Sequence, residues 1–483
     1  VTNEQGLVTG DMLLLPIQRW FFAQQQPQMH HWNQAMLLST QRRLDPDLLK
    51  STLEHILLHH DALRSRFLWQ NHQWQQTIAG MGNDIPLEVF DLSALEETEF
   101  RAALETCATE VQATLNLEEG PLVRMVYFSV GNDIPGRLLI VIHHLAVDGV
   151  SWRILLEDIA TAYEQLSNGQ AVSLPAKTLS IQQWSRRLHE YAQSMELRQE
   201  LPYWLAQARR RSLALPVDYE GGENTVASSA SLIVSLNAEE TRALLQDVPQ
   251  AYHTQINDAL LTALTLAMAH WRGQSPLLVH LEGHGREEIL EGVDISRTVG
   301  WFTSLYPVLL ELDEQDQPGQ ALKSIKEQLR AIPQRGIGYG LLRYLCEDTQ
   351  VAEQVSQLPA AELSFNYLGQ FDQTLSQTAL FGPAPESPGL SISLLGYRQH
   401  LLDIIGSVIG GQLHLTWTYS QNLHCEETIS RLAQHYLRAL REIIAHCRPG
   451  ETVGYTPSDF PEADLNQKDL DKIINRLKKR KGR

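Results

Sequence analysis

Cysteine is scarce. Four residues in 483, at positions 107, 346, 425 and 447, are too scattered for a disulfide framework and lack the paired spacing that holds zinc. A reducing, cytoplasmic setting is therefore expected. Long apolar runs are missing: none approaches the roughly 20 residues that cross a bilayer, and no charged-then-apolar leader opens the chain. Positive charge is in deficit, with 39 Lys and Arg against 57 Asp and Glu and a net charge of −18. That argues against nucleic acid as a partner; only the end, KKRKGR (478–483), is strongly basic. No G-x-S-x-G elbow occurs. GIGYG (336–340) lacks the Lys-Ser/Thr that completes a phosphate loop, and no 20–50-residue repeat is present. The first residue is valine, so a piece of a longer polypeptide, or a processed one, is expected.

What is present is a long alternation of strand and helix patterns. The length exceeds one ordinary core and predicts two lobes. From Leu44 to Phe67 the chain starts as a helix should: Asp45 can cap, Pro46 suits the first turn, and Leu49, Leu53, Ile56 and Leu57 recur at helical spacing. His59 and His60 near its end read as polar surface and are given no chemistry. LVRMVYFSV (122–130) and RLLIVI (137–142) read as two strands of a hairpin joined by GNDIPG. SWRILLEDIATAY (151–163) reads as a helix burying Trp152, Leu155, Leu156, Ile159 and Tyr163. The polar stretch 164–180 is taken as the lobe boundary. Beyond it come a helix at 257–271, a strand at 277–282, further helices, and strands near 361–367 and 402–419. FGPAPESPGLS (381–391) reads as a loop, the segment after Tyr455 as an exit linker, and 468–481 as a short basic helix. The expected division is residues 1–175, 176–455 and a tail over 456–483.

The chemistry concentrates where RLLIVI runs into HHLAVDGVSW. His143 and His144 sit at a strand end and Asp148 and Gly149 four residues on, in a loop that opens a helix. Side chains alternate across a strand, so one imidazole can face a cavity while the other packs. The glycine permits a tight turn, and the aspartate can fix the loop through a salt bridge. Adjacent histidines do not match zinc-helix spacing. A positioned imidazole with a supporting shell, no metal and no covalent nucleophile suits general acid–base catalysis.

HHLAVDG resembles the HHxxxDG signature of the condensation-domain superfamily of nonribosomal peptide synthetases, and the flanking residues resemble its epimerization branch. LLPIQRWFF, HHLAVDGVSWRILLEDI, LEGHGRE (281–287), VGWFTSLYPV (299–308), PQRGIGYGLLRYL (333–345) and ELSFNYLGQFD (362–372) follow the branch's motifs in order, from about residue 10 to 461. The resemblance implies an α/β fold of two chloramphenicol-acetyltransferase-like lobes in a V-shaped pseudo-dimer around a central cleft. It also implies an isomerase that inverts the α-carbon of an aminoacyl or peptidyl thioester. The substrate would arrive on the phosphopantetheine arm of an upstream carrier protein, with no cofactor or metal bound by the domain itself.

Residue by residue, the resemblance makes His144 and Glu282 the acid–base pair, one on each face of the carbon, with Tyr367 assisting. His143, Asp148, Gly149 and Arg286 are structural, Asp148 pairing with Arg286 between the lobes. Trp152, Trp301 and Asn366 line the cavity. A glutamate met alone would sooner be a surface or ion-paired residue, and Tyr367 reads equally well as a packed core ring. The tail is expected to lead to a downstream condensation domain or partner synthetase, with no membrane and no nucleic acid involved. Two alternatives share the implied fold: a condensation domain joining two carrier-bound substrates, and a noncatalytic carrier-docking module.

Overall fold

The computed structural model describes residues 4–82, 84–130, 135–208, 214–273, 275–313, 317–370, 380–448, 454–463 and 465–481. Residues 131–134 of the expected hairpin turn lie outside it, but its two strands, Val123–Ser129 and Arg137–His143, pair antiparallel as read.

Apolar residues without alternation make Arg137–His143 a central strand, buried on both faces. Asn33–Thr40 pairs antiparallel on its other side. Leu87–Asp91 extends the sheet in parallel beyond Val123–Ser129. Leu139 and Val141 pack toward Phe100 and Leu104 of helix Glu97–Gln112. Leu138, Ile140 and Ile142 join the larger core with Leu53 and Ile56 of helix Pro46–His59 and Leu155 and Ile159 of helix Gly149–Ser167. All five residues read as the buried face of the latter helix are buried.

A second, six-stranded mixed sheet runs in the order Ser304–Leu310, Leu277–Gly283, Leu363–Gln370, Leu402–Ile409, Gln412–Ser420, Ser229–Ser235. Its faces follow the period of two. Val279, Leu281, Phe365, Ile404, Leu415 and Trp417 are buried in the core, to which helices Ile256–Arg272 and Glu426–His446 contribute. The opposite face carries the polar alternates: His280 and Glu282 beside Ser364 and Asn366, and Asp403 beyond Ser364.

Three readings are corrected. The Leu44–Phe67 helix does begin on Asp45, whose carboxylate accepts from the N–H groups of Asp47 and Leu48. It stops at His59, however, and after a short 3-10 turn the chain becomes the strand Ser65–Gln70. His60 is no surface residue. It is 4% exposed, with Nε2 at 2.8 Å from Asp158, and this buried pair draws the chain inward where the helix would have continued. Phe381–Pro383 is not loop but an edge strand on Asn33–Thr40, so the second half supplies a strand to the first half's sheet. Proline is tolerated there because an edge needs fewer donors.

The stretch 168–180 forms no helix or strand. It is pinned to the first half by Lys177 Nζ, which donates to Gly6 O and to Asp61. The segment read as an exit linker is anchored too, because Asp459 accepts from the buried Lys326 Nζ at 2.6 Å. Helix Gln467–Lys481 follows, with Leu470 buried.

Candidate active site

The central strand of the first sheet ends at His143, and His144 opens a 3-10 turn. The two rings part as alternation predicts. His143 is fully buried, with Nε2 at 2.8 Å from Met29 O, while its Nδ1 accepts from Leu145 N–H. Burial pulls its pKa down to about 3, so it is a neutral structural residue.

His144 stays partly exposed. Its Nδ1 lies 2.8 Å from Val147 O, and its Nε2 lies 3.1 Å from the Gln34 amide nitrogen. Gln34 Oε1 accepts in turn from Trp152 Nε1–H at 2.8 Å. Desolvation pulls the imidazole below its ordinary pKa, and the Val147 carbonyl and Asp148 pull the other way. Trp301, from the second half, stacks on the ring with centroids 4.1 Å apart at 29°.

Asp148 does more than orient the loop. One oxygen caps helix Gly149–Ser167 at Ser151 N–H, 2.8 Å away, and stands 3.4 Å from Arg286 Nη2. The other accepts from Phe302 N–H at 3.0 Å. Arg286 is held further by Ile295 O, Thr298 O and Ser151 Oγ, and its guanidinium lies 3.9 Å from the centre of the Phe302 ring. Ser151 Oγ also donates to Gly300 O at 2.9 Å. Sequence reading missed Ser151, although it lies inside the quoted motif.

Two glycines divide differently from expectation. At Gly149 an added Cβ would meet nothing within 4 Å, and φ is not positive, so the turn does not require glycine. At Gly285 φ is +66° and a Cβ would lie 1.6 Å from Phe302 O. Only glycine lets the Arg286 loop pass the backbone that Asp148 grips.

Glu282 ends the second sheet's polar row, and its Oε2 accepts from Asn366 Nδ2 at 2.7 Å. The side chain reaches water yet has protein crowded around it. Lost hydration lifts its pKa to about 7, with His400 opposing and Asp403 reinforcing. The same face holds a chain in which His280 Nδ1 meets His400 Nε2 at 2.8 Å and His400 Nδ1 meets Asp403 at 3.0 Å.

Tyr367 is not brought to this face. Strand alternation turns it toward Leu415, with its ring 3.3 Å from where a Gly406 Cβ would stand. Trp152 is 4% exposed and braces Gln34. Trp301 lines a cavity of about 140 Å³ beside the site, with Trp20, Phe302, Tyr339 and His280. Among the described residues, no hydrogen bond or ion pair joins His144 directly to Glu282.

His59, His60 and Asp158 also converge, near enough to suggest metal ligands. Both Asp158 oxygens are engaged here, one by His60 and the other by Arg297 Nη2 at 2.5 Å, so the cluster is held together as a hydrogen-bonded charge pair.

No helix among the described residues is long and apolar enough to cross a membrane. Comparison with known proteins adds to this picture. A linear gramicidin synthase of Brevibacillus parabrevis is 54% identical over 475 residues, covering 98% of this chain but 6% of that protein. Tyrocidine synthase 1 of the same organism is 40% identical over 484 residues, covering 98% of this chain and 44% of that one. The chain thus spans less than half the length of these relatives. Among solved structures, the epimerization domain from the third module of tyrocidine synthetase B superposes with a TM-score of 0.86 at 38% identity, over 92% of this chain and 99% of that one. The X-domain from teicoplanin biosynthesis, at 16% identity and a TM-score of 0.72 over 93% of this chain and 97% of that one, shares the fold. With the model of the condensation domain matching residues 8–465, the chain belongs to the condensation-domain family of nonribosomal peptide synthetases.

Proposed function

We propose that the domain epimerizes the α-carbon of an aminoacyl or peptidyl thioester presented on a carrier protein's phosphopantetheine arm. Two groups of opposite habit, each with its own environment, carry this reading. His144 is an imidazole held neutral, with Nδ1 committed to Val147 O. Glu282 is a carboxyl lifted to about 7, able to give or take a proton near neutrality. One belongs to each half of the chain, and inversion needs a proton-handling group on each face of the carbon. The likeness to an epimerization domain over nearly all of that domain's length supports the same reading.

In the reaction one group takes the α-proton, and the C–H electron pair passes into the Cα–carbonyl bond, giving a thioester enolate. The other group returns a proton to the opposite face, so no atom is gained or lost. His144 accepts through Nε2 once the Gln34 amide that donates to it has moved aside, and the resulting imidazolium gains from the Trp301 face. Asn366 orients the Glu282 carboxyl. Asp148 and Arg286 act at a distance, keeping the two halves in register.

The test uses the domain with a single L-aminoacyl carrier protein. D-product together with uptake of solvent deuterium at the α-carbon is expected. Product that stays L and unlabelled, with a peptide bond forming once a second loaded carrier is added, would mean condensation instead. Carrier binding without either reaction would mean a docking module.

A further inference from the structure

We propose that Gln34 is a positioning residue: its side-chain amide, locked by Trp152, holds His144 as the neutral tautomer whose Nε2 is free of a proton. The hydrogen-bond chain fixes this by its ends. An indole N–H can only donate, so Gln34 must turn its oxygen to Trp152, 2.8 Å away. Its NH2 group then faces His144 Nε2 at 3.1 Å. At the other end a carbonyl can only accept, so His144 Nδ1 must carry the proton it shows to Val147 O. Two single-role groups thereby determine every role between them. A flipped amide would set donor against donor at Trp152, and a protonated Nε2 would set donor against donor at Gln34.

Gln34 therefore opposes the imidazolium before substrate arrives, and favours giving up a proton once taken. Burial acts in the same direction. Of the charged groups around the ring, Asp148 on the following turn opposes this and is itself engaged by Arg286 from the second half. His143 on the same strand is neutral, and Trp301 on the other side carries no charge. The catalytic consequence rests on the epimerase reading, but the tautomer does not.

The experiment is a ring-¹⁵N NMR titration of His144 in the intact domain, run beside the pH profile of α-proton exchange on a loaded carrier. Wild type should show a neutral ring protonated at Nδ1. Gln34→Glu replaces the NH2 with a second acceptor while still serving Trp152, so it should raise the His144 pKa by about 1–3 units, in the manner of a neighbouring opposite charge. The acid limb of the exchange profile should move up by the same amount. Gln34→Met, which removes the donor without adding charge, should give a smaller shift and some of the Nε2–H tautomer. A wild-type ring protonated at Nε2, or a titration unchanged in Gln34→Glu, overturns the proposal whatever the activity. If the titration shifts as expected while no variant, nor wild type, exchanges the α-proton, the proposal stands and the epimerase reading falls.

Discussion

Asp148 accepts from the backbone N–H of Phe302, 154 residues further along the chain, at 3.0 Å. The side chain that caps the helix after His144 thus also grips the segment that delivers Trp301 to the His144 ring. The loop carrying His144 and the second half of the molecule are set by one carboxylate.

Replacing Asp148 by Ala should therefore cost stability before it costs chemistry. It strips a helix cap, orphans the Phe302 N–H and leaves Arg286 buried without its counter-charge. Removing one member of a buried pair typically costs about 3–5 kcal/mol. Urea denaturation should show this loss, and an equally stable but inactive variant would contradict the assignment.

The two glycines make a sharp contrast. Gly285→Ala should unfold or grossly destabilise the domain, since neither φ nor space admits a Cβ. Gly149→Ala should be neutral or stabilising by up to about 1 kcal/mol, because alanine suits a first helical turn and the space is open. Thermal unfolding of the pair, side by side, checks both.

His144→Ala should lower α-proton exchange by about 10²–10⁴-fold, the usual worth of a positioned base. Quench-flow with deuterated solvent and a loaded carrier measures it. Exchange at the wild-type rate would remove the histidine from the mechanism.

Glu282 carries a sign that can be worked out. Its folded pKa, about 7, lies above its ordinary 4.5. The native state therefore binds this proton more tightly than the unfolded chain does. Its contribution to stability is fully present below about 4.5 and falls away as pH rises toward 7 and beyond. Glu282→Gln has no such dependence, so its stability relative to wild type should improve across that window while inversion is impaired. Asn366→Ala removes a donor to the ionised carboxylate and should move the Glu282 limb of the rate profile to higher pH.

Trp301→Ala should be costly twice over. The ring is 3% exposed, and loss of a buried tryptophan costs about 3–5 kcal/mol. The same change takes away the face on which His144 rests. Trp301→Phe, keeping an aromatic surface, should recover part of both, as measured by denaturation and by exchange rate.

Much of the site is readable because its parts lie close in sequence. His144 and Asp148 share one turn, and Glu282, Gly285 and Arg286 another, so local spacing exposes them. Gln34 lies 110 residues before His144 and reaches it only because its strand pairs with Arg137–His143, placing Gln34 opposite Ile142. Nothing in NQAMLLST announces that register. The preference for Tyr367 over Asn366 has a signal against it. In LSFNY the polar residues fall at 364 and 366, so period-two alternation already assigns Asn366 to the polar face and Tyr367 to the apolar one. His60 escapes a local reading because burial of a histidine depends on a distant aspartate, Asp158, that no helical pattern reveals.

The edge strand Phe381–Pro383 bears on how such a molecule could be taken apart. A cut near residue 175 looks natural on paper, but the earlier piece would lose the strand that covers Asn33–Thr40. It would then present a bare row of amide donors and carbonyls, an invitation to stick to its own kind. Transplanting one half between relatives would call for moving this short ribbon with it, even though it is encoded far along the chain from the graft.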